Sequence, residues 1–173
     1  MSNSITSFRD EYDYLSNFYE VKVRWDGRTY RNSEAAYQSA KTLDAQLRDT
    51  FASLDASSAK RMGQRIPLRA DWDIIKTTIM DTIVRVKFKQ HPDLAKRLVE
   101  TGDVELIEGN DRNDTFWGVD VRTGKGENHL GKILMNIRQD LRPTSFVQYV
   151  DASFMDDIFE SIYLNKREDM QYN

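Results

Sequence analysis

The spacing of apolar residues changes along the chain, and the change predicts a short β-rich start followed mostly by helices. Val21, Val23 and Trp25 alternate with Lys22 and Arg24, and Asp26-Gly27 supplies the turn of a hairpin that returns through residues 28–31. Asn32 or Ser33 is placed to cap a helix with Glu34 in its first turn, where a carboxylate suits the helix dipole. Residues 55–63 read as a short helix stopped by Gly63, and Pro67 begins an irregular link to Trp72. Ile75, Ile79, Ile83 and Val86 form a helical stripe from residue 73 to about residue 90. His91-Pro92 breaks it before a helix over 93–100 that Gly102 closes. Residues 104–107 and 115–119 read as short strands. Gly124-Lys125-Gly126 then precedes a helix whose Leu130, Ile133, Leu134, Ile137 and Leu141 share one face, with Pro143 ending it. Val147, Val150, Phe154, Ile158 and Ile162 predict a further helix within 146–164, suited to packing on the core or on a second copy of the chain. A disordered tail is expected from residue 166.

No repeat, low-complexity segment or linker interrupts this order, so the expected fold is α+β: a compact, mostly helical single domain with a small β component over 1–143. Residues 144–173 are expected to be a helical C-terminal extension and tail, with a homodimer contact as one use for it. A chain of 173 residues with 39% hydrophobic and 31% charged residues is large enough to bury a core of its own. Cysteine is absent and histidine occurs only as His91 and His129, which removes disulfides, thiolate metal sites and cysteine nucleophiles and leaves little for Ser-His-Asp chemistry. The net charge of -3 argues against a general grip on long nucleic acid, and the cluster Lys60, Arg61, Arg65 and Arg69 is of a kind that more often forms a solvated surface than a phosphate site. No apolar run approaches the length of a bilayer span, and Met1-Ser2-Asn3-Ser4 lacks the basic and apolar regions of a signal peptide, so a cytoplasmic, membrane-free protein is expected.

Carboxylate, amine and aromatic side chains remain as carriers of chemistry. Glu34, Gln38 and Lys41 stand at i, i+4 and i+7, within a sector of roughly 60° on a helix. On spacing alone an exposed Glu/Lys helix face is the commoner meaning. An acid, an amide and an amine on one surface are also what is needed to protonate a leaving group, hold a sugar and stabilise or capture an electrophilic carbon. Trp72 stands in a polar junction, Arg69-Ala70-Asp71-Trp72-Asp73, which leaves its indole available to stack on a heterocycle, although a tryptophan is by default a packing residue. Phe18, after Ser16-Asn17, is a weaker candidate for the same task. Asp114 has the ordinary meaning of a turn residue, and Trp117-Gly118 is suited to shaping a site floor. Gly124-Lys125-Gly126-Glu127-Asn128 offers backbone N–H groups and a helix N-terminus to a phosphate, a weak signal that matches neither a P-loop nor a dinucleotide fingerprint.

Taken in order, Leu15-Ser16-Asn17-Phe18, Ser33-Glu34 with Gln38 and Lys41, Trp72, Asp114 with Trp117-Gly118, and the segment from Gly126 to Arg138 resemble the NADAR superfamily, the YbiA-like proteins. The resemblance runs from about Phe8 to Arg138. It implies an N-glycosidase fold without a metal, and no cofactor is expected. The implied substrates are ribosyl phosphates or ADP-ribose derivatives: early riboflavin-pathway intermediates, or ADP-ribosylated guanine in nucleic acid. It implies Glu34, Lys41 and Asp114 as catalytic residues, and Asn17, Phe18, Gln38, Trp72, Trp117, Gly118, Gly126 and Asn128 as substrate-binding ones. Cleaving a C1′–N bond passes through a cationic sugar, which suits a carboxylate and a flat aromatic wall. Glu34 can stabilise that cation or activate water, Asp114 can hold ribose hydroxyls or share the proton transfers, and Lys41 can act as a cation or form a Schiff base with a ring-opened sugar. Asn128 can cap the following helix, contact the sugar, or do both. Two departures adjoin these motifs, Ala35 where many relatives have His and Asp120 where they have Gly, and both are expected to bear on substrate choice. A non-catalytic ADP-ribose or nucleotide binder is the alternative reading, and an interaction module using the amphipathic extension is a third.

Overall fold

The computed structural model describes residues 4–142. After β1 (Ser4–Ile5) and a 3-10 helix (Asp10–Leu15), the alternating segment forms the antiparallel hairpin of β2 (Val23–Trp25) and β3 (Arg28–Tyr30). Asp26 and Gly27 take φ of 49° and 74°, the left-handed pair that a two-residue hairpin loop requires. The hairpin leads into α1 (Ser33–Ser39), capped by Asn32, whose side chain accepts a 2.8 Å hydrogen bond from the Ala35 N–H. Every residue of α1 is buried, which rules out the exposed Glu/Lys face. The helix also stops before Lys41, which stands in the turn that follows rather than on the helix itself.

α2 (Ala45–Ala52) and α3 (Ala56–Gly63) follow, capped by Asp44 and Asp55. The sequence pattern missed α2 because it buries only Phe51 and so carries no apolar stripe. α4 (Trp72–Gln90) packs against β2, α1, α5 (Pro92–Glu100) and α6 (His129–Leu141). Being covered on several sides, it buries Trp72, Met80, Ile83, Val84, Lys87 and Phe88, whereas Ile75, Ile79 and Val86 of the anticipated stripe are only half-buried. Two short parallel pairings complete the fold: β1 with β4 (Glu105–Leu106), and β5 (Gly109–Asn110) with β6 (Val119–Asp120). The strand expected at 115–119 is mostly a turn, because the Asp114 carboxylate accepts the Trp117 N–H at 2.9 Å and bends the chain there. The architecture is thus α+β and dominated by helices.

Lys87 ties the core to the site. Its fully buried ammonium donates to the carbonyls of Tyr14 and Ser16, so the end of the 3-10 helix is fixed and the next residues, Asn17 and Phe18, are held in place. The Asn17 carbonyl in turn accepts the Glu34 N–H at 3.0 Å. No helix among the described residues is long and apolar enough to cross a membrane. The helix anticipated within 146–164, the tail and any dimer contact made by them lie outside the described residues.

Candidate active site

The first turn after the 3-10 helix, α1, α3, the start of α4 and the loop before β6 surround a cavity of about 370 Å³. It gathers Asn17, Phe18, Glu34, Gln38, Lys41, Trp72, Asp114 and Trp117, eight of the residues singled out from the sequence. Gly118, Gly126 and Asn128 lie outside it.

Glu34 and Gln38 are 6% and 4% exposed, so the polar stripe of α1 faces the cavity and not solvent. Gln38 Nε2 donates to Glu34 Oε1 at 2.7 Å, and the amide lies against Gly63, where a Cβ would stand 1.9 Å from Gln38 Oε1. Gly63 is therefore more than a helix stop: its missing side chain makes room for the amide that orients the carboxylate. Burial pushes the Glu34 carboxyl up from its ordinary range, while the Gln38 hydrogen bond and the charges of Lys60 and Lys41 oppose that rise. Lys41 Nζ approaches the Gly63 carbonyl at 3.4 Å and lies about 6 Å from the rings of Tyr37 (6.0 Å) and Trp72 (5.9 Å). Burial lowers its pKa, and the nearby Glu34 partly restores it.

One wall is aromatic. Tyr37 packs on Trp72 with ring centres 5.2 Å apart and meets Trp117 edge-on at 5.5 Å, and Phe116 meets Trp117 edge-on at 4.9 Å. Trp72 is only 5% exposed, so its indole serves packing while one part of it lines the cavity. Asp114 is likewise both a turn residue and a lining residue, since one carboxylate oxygen accepts the Trp117 N–H. Asn17 Nδ2 contacts Met80 Sδ at 3.1 Å, and its Oδ1 is buried without a hydrogen-bond partner among the described residues.

The proposed phosphate cradle at residues 124–128 is not formed. The N–H groups of Glu127, Asn128, His129 and Leu130 donate to the carbonyls of Thr115, Gly118, Phe116 and Trp117, so these four donors at the start of α6 are already occupied. Gly126 has a φ of 155°, and a Cβ on it would stand 2.1 Å from the Gly118 carbonyl oxygen, which makes it a packing glycine. Asn128 neither caps α6 with its side chain nor reaches the cavity: its Oδ1 accepts the Glu108 N–H at 3.0 Å and its Nδ2 donates to the Leu106 carbonyl at 2.9 Å. Gly118 packs on the same strand connection, with its absent Cβ 2.1 Å from the Glu108 carbonyl. The two departures, Ala35 and Asp120, also lie outside the cavity lining. Ala35 is buried in the core, and Asp120 turns into its own loop, where the Arg122 guanidinium at 2.6 Å and backbone N–H groups hold its carboxyl at about 2.

Sequence reasoning missed Tyr37, Lys60 and Glu108, all of which line the cavity. Tyr37 reads as one more helical aromatic, and Lys60 belongs to a basic cluster of a kind that more often forms a solvated surface, though a local basic patch stays open. Glu108 had no local pattern, since only the fold brings residue 108 opposite residue 34. Among the described residues no group of three or more His, Asp or Glu side chains is arranged to hold a metal ion.

The chain is also similar to known proteins. The NADAR domain family matches residues 6–142. The N-glycosidase YbiA of Escherichia coli is 36% identical over 147 residues, covering 82% of this chain and 91% of that protein. A riboflavin biosynthesis protein of Vibrio vulnificus is 37% identical over 150 residues, covering 83% of this chain but 40% of the relative. The NMR structure of E. coli YbiA superposes with a TM-score of 0.72 at 35% identity, covering 82% of this chain and 86% of that one. The chain belongs to the NADAR domain family.

Proposed function

We propose that the protein is an N-glycosidase that hydrolyses the N-ribosyl bond of a ribosyl phosphate or ADP-ribose derivative, with a phosphorylated ribosylamine of the riboflavin pathway as the first substrate class and ADP-ribosylated guanine as the second. The observation that carries this reading is the Glu34–Gln38 pair, buried at the base of a cavity walled by Tyr37, Trp72 and Trp117. An oriented carboxylate beside a flat wall is matched to a cationic sugar leaving a planar base. Relatives named N-glycosidase and riboflavin biosynthesis protein support the same chemistry. The cavity lies at the lower end of the size range of small-molecule sites, roughly 300–1,000 Å³. Beside it, sharing Phe18, Lys60, Glu108 and Asp114, runs a groove that Arg9 and Arg112 also line, which offers cations to a phosphate group.

In this reading Glu34 stabilises the cationic C1′ or takes the proton of the attacking water, Asp114 holds ribose hydroxyls, and Trp72 and Trp117 support the base. Lys41 supports a second route. It makes no ion pair within 4 Å among the described residues, and its pKa is lowered by burial, both of which favour an uncharged amine that can attack C1 of a ring-opened sugar. The test is to incubate the protein separately with a riboflavin-pathway ribosylamine 5-phosphate and with DNA carrying ADP-ribosylated guanine, measuring released sugar and melting temperature. Release of sugar from one of them supports the enzyme. A rise in melting temperature with no release would favour the non-catalytic binder, and neither effect would set the reading aside.

A further inference from the structure

We propose that Glu108 is the proton donor to the departing base. The proposal rests on the N-glycosidase reading above and adds a third carboxyl group with a distinct task. Glu108 lies between β4 and β5 and lines both the cavity and the adjoining groove. Its Oε2 is buried with no hydrogen-bond partner among the described residues. Burial raises the Glu34 carboxyl as well, but there the Gln38 hydrogen bond to Oε1 and the charges of Lys60 and Lys41 oppose the rise and favour the ionised form. A buried carboxyl oxygen that no donor satisfies favours holding its proton. The charged groups around Glu108 act in both directions: Asp114 from the loop before β6 and Glu34 from α1 raise its pKa, whereas Lys60 from α3 and Arg9 lower it. Burial is the largest influence, and the carboxyl titrates at about 7. Two carboxyl groups on one cavity, one supplied with a donor and one deprived of it, have the asymmetry that separates a base from an acid.

The backbone around Glu108 is fixed from three sides. Asn128 accepts its N–H, the Val119 N–H donates to its carbonyl at 2.9 Å, and Gly118 packs on that carbonyl with no room for a Cβ. Gly126 packs on Gly118 in turn. Gly118, Gly126 and Asn128, which the resemblance implicates in substrate binding, are thus positioning residues that act through the main chain of Glu108.

The step balances. As the C1′–N bond breaks, its electron pair stays on nitrogen and takes the Glu108 proton. Water adds to C1′ and gives a proton to the Glu34 carboxylate. The net change is addition of water across the bond, and transfer of the proton from Glu34 back to Glu108, directly or through solvent, restores the site.

Leaving-group dependence tests this. Glu108→Gln is assayed on a riboflavin-pathway ribosylamine 5-phosphate, whose base needs a proton, and on a nitrophenyl riboside 5-phosphate, whose leaving group departs as a stable anion. The expected loss is about 100-fold on the first and no more than about 5-fold on the second. Wild-type kcat on the ribosylamine should fall above about pH 7, with no such fall on the nitrophenyl substrate. The wild-type profiles stand even if the variant does not fold. Equal losses on both substrates, an unchanged rate on the ribosylamine, or identical wild-type pH profiles would overturn the proposal. Failure of the underlying reading looks different, since the wild-type protein would then be inert toward both substrates.

Discussion

Gly63→Ala isolates the contact that orients Glu34 without touching the carboxylate itself. Gly63 is the last residue of α3 and has an ordinary helical backbone, so alanine is conformationally acceptable and by propensity alone gains about 1 kcal/mol. Its Cβ would stand 1.9 Å from Gln38 Oε1 and 2.7 Å from Gln38 Cδ, and contact would be restored only by moving the amide more than 1 Å. The amide is the flexible end of a side chain, so it yields more cheaply than backbone. Moving it stretches the 2.7 Å bond to Glu34 Oε1. A hydrogen bond to a charged group is worth about 1.5–3 kcal/mol, which corresponds to roughly a 10-fold to 150-fold loss in kcat/KM if the bond is needed in the transition state. The prediction is therefore a folded protein, with a melting temperature within about 5 °C of the parent, whose turnover falls by at least about 10-fold. Thermal unfolding and steady-state kinetics on the ribosylamine phosphate measure both. A variant that melts normally and turns over at the parental rate would show that the Glu34–Gln38 bond does not matter to the reaction.

Trp72→Ala should lose roughly 3–5 kcal/mol of folding free energy and weaken ligand binding by roughly 5-fold to 150-fold, with Trp72→Phe recovering part of each; normal binding by the folded alanine variant would take the indole out of the site. Borohydride added during turnover should trap a sugar on Lys41 if the Schiff-base route operates, and the absence of an adduct by mass spectrometry together with an active Lys41→Arg variant would leave the lysine an electrostatic role. Glu34→Gln should raise the melting temperature at neutral pH, because burial raises the Glu34 pKa, and a carboxyl whose pKa rises on folding costs stability increasingly as pH climbs above its ordinary value. The gap over wild type should shrink as pH falls toward 4.5, the ordinary value; a pH-independent gap, or none, would contradict this reading of the buried charge.

The sequence disclosed what local chemistry writes into it. The hairpin turn at Asp26-Gly27, the Asn32 cap, the Pro92 break and the apolar face of α6 each depend on residues close in the chain, and each was found where expected. The central helix was placed correctly but its buried face was not, because a helix packed on several sides has no single stripe to display. At the site, α1 betrayed itself by the i, i+4 spacing of Glu34 and Gln38, while burial alone decided that this stripe faces a cavity. Glu108 was silent because its meaning comes from a pairing of distant strands and from Asn128, 20 residues away. The glycine-rich turn misled in the opposite direction: its flexibility serves close packing on Gly118, and the helix donors that suggested a phosphate are already occupied by carbonyls.

The central claim is that Glu34 drives hydrolysis of an N-ribosyl bond in this cavity. Its most direct measurement is the joint release of free base and reducing sugar from the ribosylamine 5-phosphate by wild-type protein and by Glu34→Gln, a change that keeps the shape of the side chain and removes its charge. The wild type should release equimolar base and sugar, and the variant should still fold and bind while turning over about 100-fold or more slowly. Equal rates from the two proteins would contradict it.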